Sequence, residues 1–361
     1  MKLILCGDVV PTEATAAAFE RGDVRAVFGG MVDEFGKADA VVVNLECALT
    51  ESQRAIIKCG PNLKGAPSCA STLKAAGITH AGLANNHIYD FGQDGLTDTW
   101  HSLETAGISH FGTGVNWQAA RQPVYIRSGG MTACIYAVCE HEYSYATRDR
   151  AGANPFEPFT ALGDVRRYSQ GCDLMVVMYH GGKEQCEYPS PRLRSACRAL
   201  IDAGADIVLT QHSHCVGCRE QYAGGEIVYG QGNFCFVTHQ DHPHWRSGLA
   251  LAVDFDSTGR ELSYIPLCTN EHGVDIAQGE QAQEILRGFE ARSAQIVDER
   301  NCEALWRQFC ESVRPWYVAA ARDAFADGDV RQVFPHYLDC EAHLDVWKTL
   351  FETWHAQGRD Y

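Results

Sequence analysis

A chain of 361 residues that is 45% hydrophobic and 21% charged is long enough to bury a large core and too apolar for a disordered polymer. Its formal net charge of −16 leaves no basic surface to neutralise a phosphate backbone, so no nucleic-acid partner is expected. No apolar run is long enough to cross a bilayer, and Asp8, the first candidate site residue, comes too early for an export signal to precede it; no membrane insertion and a cytoplasmic location are therefore expected.

From residue 2 to about 208, short β-branched runs alternate with helical patterns, the signature of βαβ units in a largely parallel sheet. Strands are expected at 2–7, 40–45, 78–84, 132–138, 173–179 and 206–210. Helices are expected at 67–76, 94–106 and 191–203, each followed by a glycine (Gly77, Gly107, Gly204) that serves as a left-handed stop. After His214 the pattern changes to hairpins: 219–222 with 226–229 around Gly224-Gly225, then 248–255 with 262–267 around Asp256-Ser257-Thr258-Gly259. Two sheets packed face to face, with helices outside, accommodate both the parallel and the antiparallel pairs. From about 278 to 361 the chain reads as helix only, with periodic apolar positions such as Ile285, Phe289, Trp306, Phe309, Trp316, Trp347 and Trp354. Packing on the core or on a partner explains these aromatics, and no ligand constellation is visible there. The domain reading is 1–275 for the α/β unit and 276–361 for a helical extension. Sixteen cysteines, many inside apolar runs (Cys6, Cys134, Cys139, Cys235, Cys268), fit a reducing compartment where Cys is a small core residue.

Residue types that ligate metals recur where expected strands run out: Asp8, Glu46, Asn86 with His87, His180, and then His212 and His214. The last two read as a loop in which a bend points both imidazoles inward. Imidazole, carboxylate and amide oxygen together suit one or two divalent cations, with Zn, Mn or Fe as candidates. A bridging carboxylate such as Glu46 would hold two cations roughly 3.5–4 Å apart, the spacing used by two-metal hydrolases. His87 would stand beside the metals without ligating them, free to protonate a leaving group, with Asp90 orienting its ring. Asn85-Asn86 is also turn chemistry, since Asn tolerates left-handed backbone. Cys215-Val216-Gly217-Cys218 is read mainly as small residues packed behind the site. Gly230-Gln231-Gly232-Asn233-Phe234 is read as a tight turn bringing backbone close to the site, with Asn233, like Asn85, supporting the ligands by hydrogen bonds. His239, Asp241, His242 and His244 read as a polar, solvated loop, and Arg54, Lys58, Lys64 and Lys183 as scattered surface charge.

The stretches Gly7-Asp8, Asn44-Leu45-Glu46, Ala84 to Gly92, His180-Gly181-Gly182, Asp202 to His214 and Gly230 to Phe234 resemble the bacterial CapA family of poly-γ-glutamate capsule synthesis, a branch of the calcineurin-like metallophosphoesterases. The resemblance runs in order from residue 2 to about 267. It implies an α/β fold of four layers, α-β-β-α, with a dinuclear site between strand ends and a helical tail outside it. It also implies that Asp8, Glu46 and His214 hold one metal, that Glu46, Asn86, His180 and His212 hold the other, and that His87 is the acid. One departure stands out: calcineurin-like enzymes usually carry His two residues after the first Asp, and here that residue is Val10. The expected function is a metal-dependent hydrolase whose activated water attacks a phosphoester or a related anionic substrate, γ-glutamyl compounds included. The alternative is a polymer- or partner-binding capsule protein with a structural metal site. The partner in either case is a small molecule or an anionic polymer.

Overall fold

The computed structural model describes residues 1–140, 143–239, 241–324 and 333–356. The side chain of Trp354 and the last five positions of the expected helical stretch, 357–361, lie outside the described residues. Two sheets dominate. In the first, strands follow the order Val274–Ile276, Gly259–Thr269, Ser247–Asp256, Lys2–Val9, Ala40–Leu45, His80–Gly82, Ser109–Phe111, with Asn233–Cys235 also paired to Lys2–Val9. In the second the order is Val216–Tyr222, Gly225–Gln231, Ile207–Gln211, Leu174–His180, Met131–Cys139, Val124–Ser128. Most of the early strands pair in parallel and the hairpins after His214 are antiparallel, as the change of pattern there implies, but Val124–Ser128 and Met131–Cys139 form an early antiparallel pair and Gly225–Gln231 joins Ile207–Gln211 in parallel.

Period-two alternation decides how the second sheet is buried. Ile135, Ala137, Val176, Met178, Ile207 and Leu209 join the core shared with the first sheet. Their neighbours Tyr136, Val138, Val177, Tyr179 and Val208 instead pack with Val165 and Leu200 of the helices Pro158–Tyr168 and Pro191–Asp202. Strands apolar on both faces need cover on both. On the far side of the first sheet, Phe19, Phe28, Leu73, Leu96 and Leu103 of the helices Glu13–Glu20, Val24–Phe28, Cys69–Ala76 and Gly92–Ala106 complete the core. The result is the four-layer α-β-β-α sandwich.

Both hairpins form around tighter turns than their glycines alone suggest. Tyr222 pairs with Gly225 across Ala223-Gly224, both at positive φ (49° and 84°), the two-residue turn that matches strand twist. The second hairpin closes with Asp256 opposite Gly259.

The C-terminal helices Gly279–Gln295, Glu299–Asp323, Val333–Asp339 and Glu341–Ala356 are tied to the sandwich by polar contacts as well as by packing. Arg292 donates to the carbonyls of Val216 and Gly217, each at 2.8 Å. Trp306, Cys310, Tyr317 and Val346 form a separate apolar cluster that reaches Cys186 of the α/β unit. Arg192 joins the two parts: its guanidinium meets Glu140 at 2.6 Å and Asp345 at 2.8 Å, while Ser190 Oγ donates to Asp345 at 2.6 Å. Removing Arg192 would leave two largely buried carboxylates without their cation. Arg192→Met is expected to cost roughly 3 kcal/mol, read as a lower urea midpoint of unfolding.

Candidate metal centre

The site lies where the strands of the two sheets end facing one another. Asp8 is not beyond its strand, as the sequence suggests, but within Lys2–Val9. Leu5 stands opposite Val42 and Asp8 opposite Asn44, so the first strand carries one extra residue, a bulge that re-aims the carboxylate. The bulge exposes the carbonyls of Leu5 and Cys6, and the second sheet satisfies them: Gln231 Nε2 donates to Leu5 O at 3.1 Å and Gln211 Nε2 to Cys6 O at 3.2 Å. Gly7 permits this approach, because a Cβ there would lie 2.5 Å from the carbonyl oxygen of Gly232. At Gly232 (φ 69°) the chain leaves the second sheet and its next residues, Asn233–Cys235, pair with the first.

Six of the expected ligands converge. Asp8, Glu46 and His180 offer donor atoms within 4.8 Å of one another, and so do Glu46, His212 and His214. Asn86 Oδ1 lies 2.8 Å from His180 Nε2. Glu46 belongs to both clusters, the position expected of a bridging carboxylate. In these groups His180 lies with Asp8 and His212 with His214, so the proximities cross the two ligand sets implied by the resemblance. Val10 is 1% exposed and belongs to the apolar core, with its N–H bonded to Cys235 O at 2.8 Å; this position offers no donor side chain.

Supporting bonds fix the ligands. Asn44 Nδ2 donates to Asp8 Oδ1 at 2.7 Å and stands 3.0 Å from His180 Nδ1. Asn85 Nδ2 donates to Asn44 Oδ1 at 3.1 Å and to Leu45 O at 2.8 Å, while its Oδ1 accepts the His87 N–H at 3.2 Å. His214 Nδ1 donates to Asn233 Oδ1 at 2.9 Å, leaving Nε2 for the site. The left-handed backbone belongs to the histidines: His212 and His214 have φ of 85° and 53°, whereas Asn85 and Asn86 are not left-handed. Non-glycine residues pay about 1 kcal/mol or more for that region, and the strain aims both imidazoles at the carboxylates.

Burial sets the charges. It pushes the Asp8 carboxyl up to about 6, helped by the Glu46 charge and opposed by His180, His214 and Asn44. Burial also raises Glu46, pulls His180 down to about 4 and holds His212 well below the usual imidazole range. For His214 burial acts downward, but the Glu46 and Asp8 carboxylates and Asn233 outweigh it, and its value is raised. Neither Glu46 carboxylate oxygen has a hydrogen-bond partner among the described residues, although both are fully buried. Two neutral imidazoles, an amide oxygen and an unsatisfied buried carboxylate are a donor set that fits a divalent cation.

Beside the ligands, His87 Nδ1 lies 2.7 Å from Asp90 Oδ2, and Asp90 also accepts Leu63 N–H at 2.6 Å. Three features escape the sequence reading. Lys58 is not surface charge: its side chain is 2% exposed, with Nζ 2.5 Å from Asp90 Oδ1 and 3.0 Å from His87 Nδ1. A basic residue with no local periodicity gives no sign that its ammonium turns inward. Trp245, which follows the polar loop, is buried and stacks on His214 with centroids 4.5 Å apart, and His244 of that loop is half-buried and lines a cleft that His87 also lines. The C-terminal helices also reach the site. By contrast, Arg54 is exposed and paired with Asp94, and Cys215 and Cys218 are free, buried thiols that burial pushes upward.

The family model described as bacterial capsule synthesis protein PGA_cap matches residues 2–238. The chain belongs to this family. It is 28% identical over 245 residues to the capsule biosynthesis protein CapA of Bacillus anthracis, covering 65% of this chain and 60% of that one. It is 26% identical over 239 residues to the PGA biosynthesis protein CapA of Bacillus subtilis (strain 168), covering 64% and 62%. The chain thus spans less than two thirds of these relatives' length. A hypothetical protein from Thermus thermophilus of known structure is 14% identical with a TM-score of 0.48, covering 75% of this chain and all of that one. Among the described residues, no helix of this family member is long and apolar enough to cross a membrane.

The pKa directions define a proton balance. Because Asp8 has a folded value of about 6 against an ordinary 3.8, its contribution to stability is present below about pH 4 and is lost as pH rises through 6. A cation at the site must displace the proton retained by Asp8, whereas His180, at about 4, is already neutral at pH 6. Titrating the metal-free protein with Mn²⁺ or Zn²⁺ at pH 6 is expected to release protons, with the release declining towards pH 8. Calorimetry in buffers of different ionisation enthalpy measures it.

Proposed function

We propose that this chain is a metal-dependent hydrolase acting on phosphoesters or related anionic substrates, γ-glutamyl amides included. The observation that carries this reading is Glu46: a buried carboxylate with no hydrogen bond to either oxygen, shared by two ligand clusters, beside a His–Asp pair. Asp8, Glu46, Asn86, His180, His212 and His214 would hold one or two divalent cations of the Mn, Zn or Fe type. A bound cation would supply Lewis acidity and ease deprotonation of water at neutral pH.

The chain's own groups do the rest. Asn44 orients Asp8 and His180, Asn85 orients Asn44 and the His87 backbone, and Asn233 orients His214. His87 lies outside both ligand clusters and lines an open cleft of about 590 Å³, where it hands a proton to the departing group. Asp90 holds the ring through Nδ1, which directs Nε2 towards that cleft. Lys58 compensates the Asp90 charge. Water is excluded on the opposite side by Trp245 and Phe236 against His214.

Val10 favours a second reading, in which the metal site serves the structure of a polymer- or partner-binding protein of capsule synthesis. The two readings separate in one experiment. His87→Ala is expected to lower kcat by about 10²–10⁴-fold with bound metal unchanged, whereas Glu46→Gln is expected to lose metal and turnover together. Metal content by plasma mass spectrometry is read alongside turnover on phosphoester and γ-glutamyl panels. A metal-loaded wild type that turns over no member of either panel would sink the hydrolase reading, and a folded Glu46→Gln variant that keeps its full turnover would remove this metal site from the reaction.

A further inference from the structure

The cleft above His87 is built from both parts of the chain. Its floor carries Asn86, His87, Lys58 and Lys183, while Trp316, Tyr337 and His343 of the C-terminal helices stand over it. The sequence pattern alone marks these helices as packing elements only. Tyr317 stacks on Tyr337 at 4.5 Å and Tyr337 on His343 at 4.3 Å with planes 22° apart, while His336 meets His343 edge-on at 4.6 Å and stacks on Tyr143 of the α/β unit at 5.6 Å. Burial pulls His336 down to about 4 and His343 to about 2, so this wall is uncharged at neutral pH. Trp316 lines the same cleft and is 68% exposed, an unusual position for a large aromatic that only packs.

The two sides ask for different chemistry. The ligand set and Lys183 suit an anionic reacting group. The wall suits a flat, uncharged group, and Glu184 on the rim opposes further negative charge. A volume of about 590 Å³ matches a small molecule rather than a folded partner. A polymer with a carboxylate at every repeat would meet neutral rings and Glu184 where it needs cations.

We propose that the C-terminal helices form a specificity wall, with Trp316 as its stacking platform, for a small phosphoester whose leaving group carries a planar aromatic ring. This rests on the hydrolase reading for the reaction, but not for the binding. The wall is held in place by the Arg192 link to Asp345 and by the Trp306 cluster, into which Tyr317 packs while the side chain of the neighbouring Trp316 stays exposed.

The test is binding by the metal-loaded full chain of two non-hydrolysable probes, phenylphosphonate and methylphosphonate, followed by calorimetry. The wild type is expected to prefer the phenyl compound, Trp316→Ala to lose about tenfold of that preference, and Trp316→Phe to retain it. Because the side chain is exposed, the alanine variant should fold, and the phenylalanine variant guards against a general loss of structure. No preference in the wild type, or the same preference in Trp316→Ala, overturns the wall. A preference that is lost on substitution, in a protein that turns over none of the esters tested, leaves the wall standing and defeats the hydrolase reading alone.

Discussion

A carboxylate buried without hydrogen bonds is costly, by several kcal/mol even after the surroundings relax. Glu46 is such a group, and the fold keeps it there. Among the described residues no arginine or lysine forms an ion pair with it, and the nearest nitrogen in an ion-pair geometry is His180 Nε2, 3.2 Å from Oε1. Instead the chain surrounds Glu46 with imidazoles, two of which burial holds neutral, and with a second raised carboxylate, Asp8. Neutral nitrogen donors with acidic oxygens that resist ionisation are a set completed by a dication, because one ion relieves both carboxylates at once and uses the nitrogen lone pairs. The same electrostatic demand explains why the supporting shell consists of asparagines: amides orient the ligands without adding charge.

That site exists only because two sheets meet at their strand ends. The bulge in the first strand turns Asp8 inward and leaves carbonyls exposed, and the glutamines of the second sheet take them up. Gly7 and Gly232 allow the backbones to approach within the reach of those amides. Left-handed backbone at His212 and His214 is held against its own strain by this junction, so the ligand geometry and the crossing between sheets form one cooperative unit. The proposed active centre is therefore assembled by the core itself, while the cleft's far wall is contributed by helices anchored elsewhere, an arrangement in which the wall can vary without disturbing the ligands.

Much of this is legible in the residue order. The alternation of strand and helix patterns up to residue 208, and the glycine turns after it, specify parallel and antiparallel pairs that a sandwich accommodates. Asp8, Glu46, Asn86, His180, His212 and His214 share the same local setting, and that regularity marks them as a group without any distance being known. Sequence reasoning errs where local pattern carries no information about direction. Lys58 follows Ala55-Ile56-Ile57 in a stretch with no helical or strand period, so nothing local says which way its side chain turns, and its ammonium is buried against Asp90. Trp245 follows a polar loop, and nothing local couples it to His214.

The sequence by itself determined the kinds of elements, their order and the identity of the donor groups, because hydrophobic period and side-chain chemistry are local properties. Only the tertiary structure decided that the donors share one carboxylate, that two histidines take the left-handed conformation, and that rings from the last helices stand over His87. Those are consequences of which surfaces bury against each other, and burial is settled by the whole chain at once rather than by any segment of it.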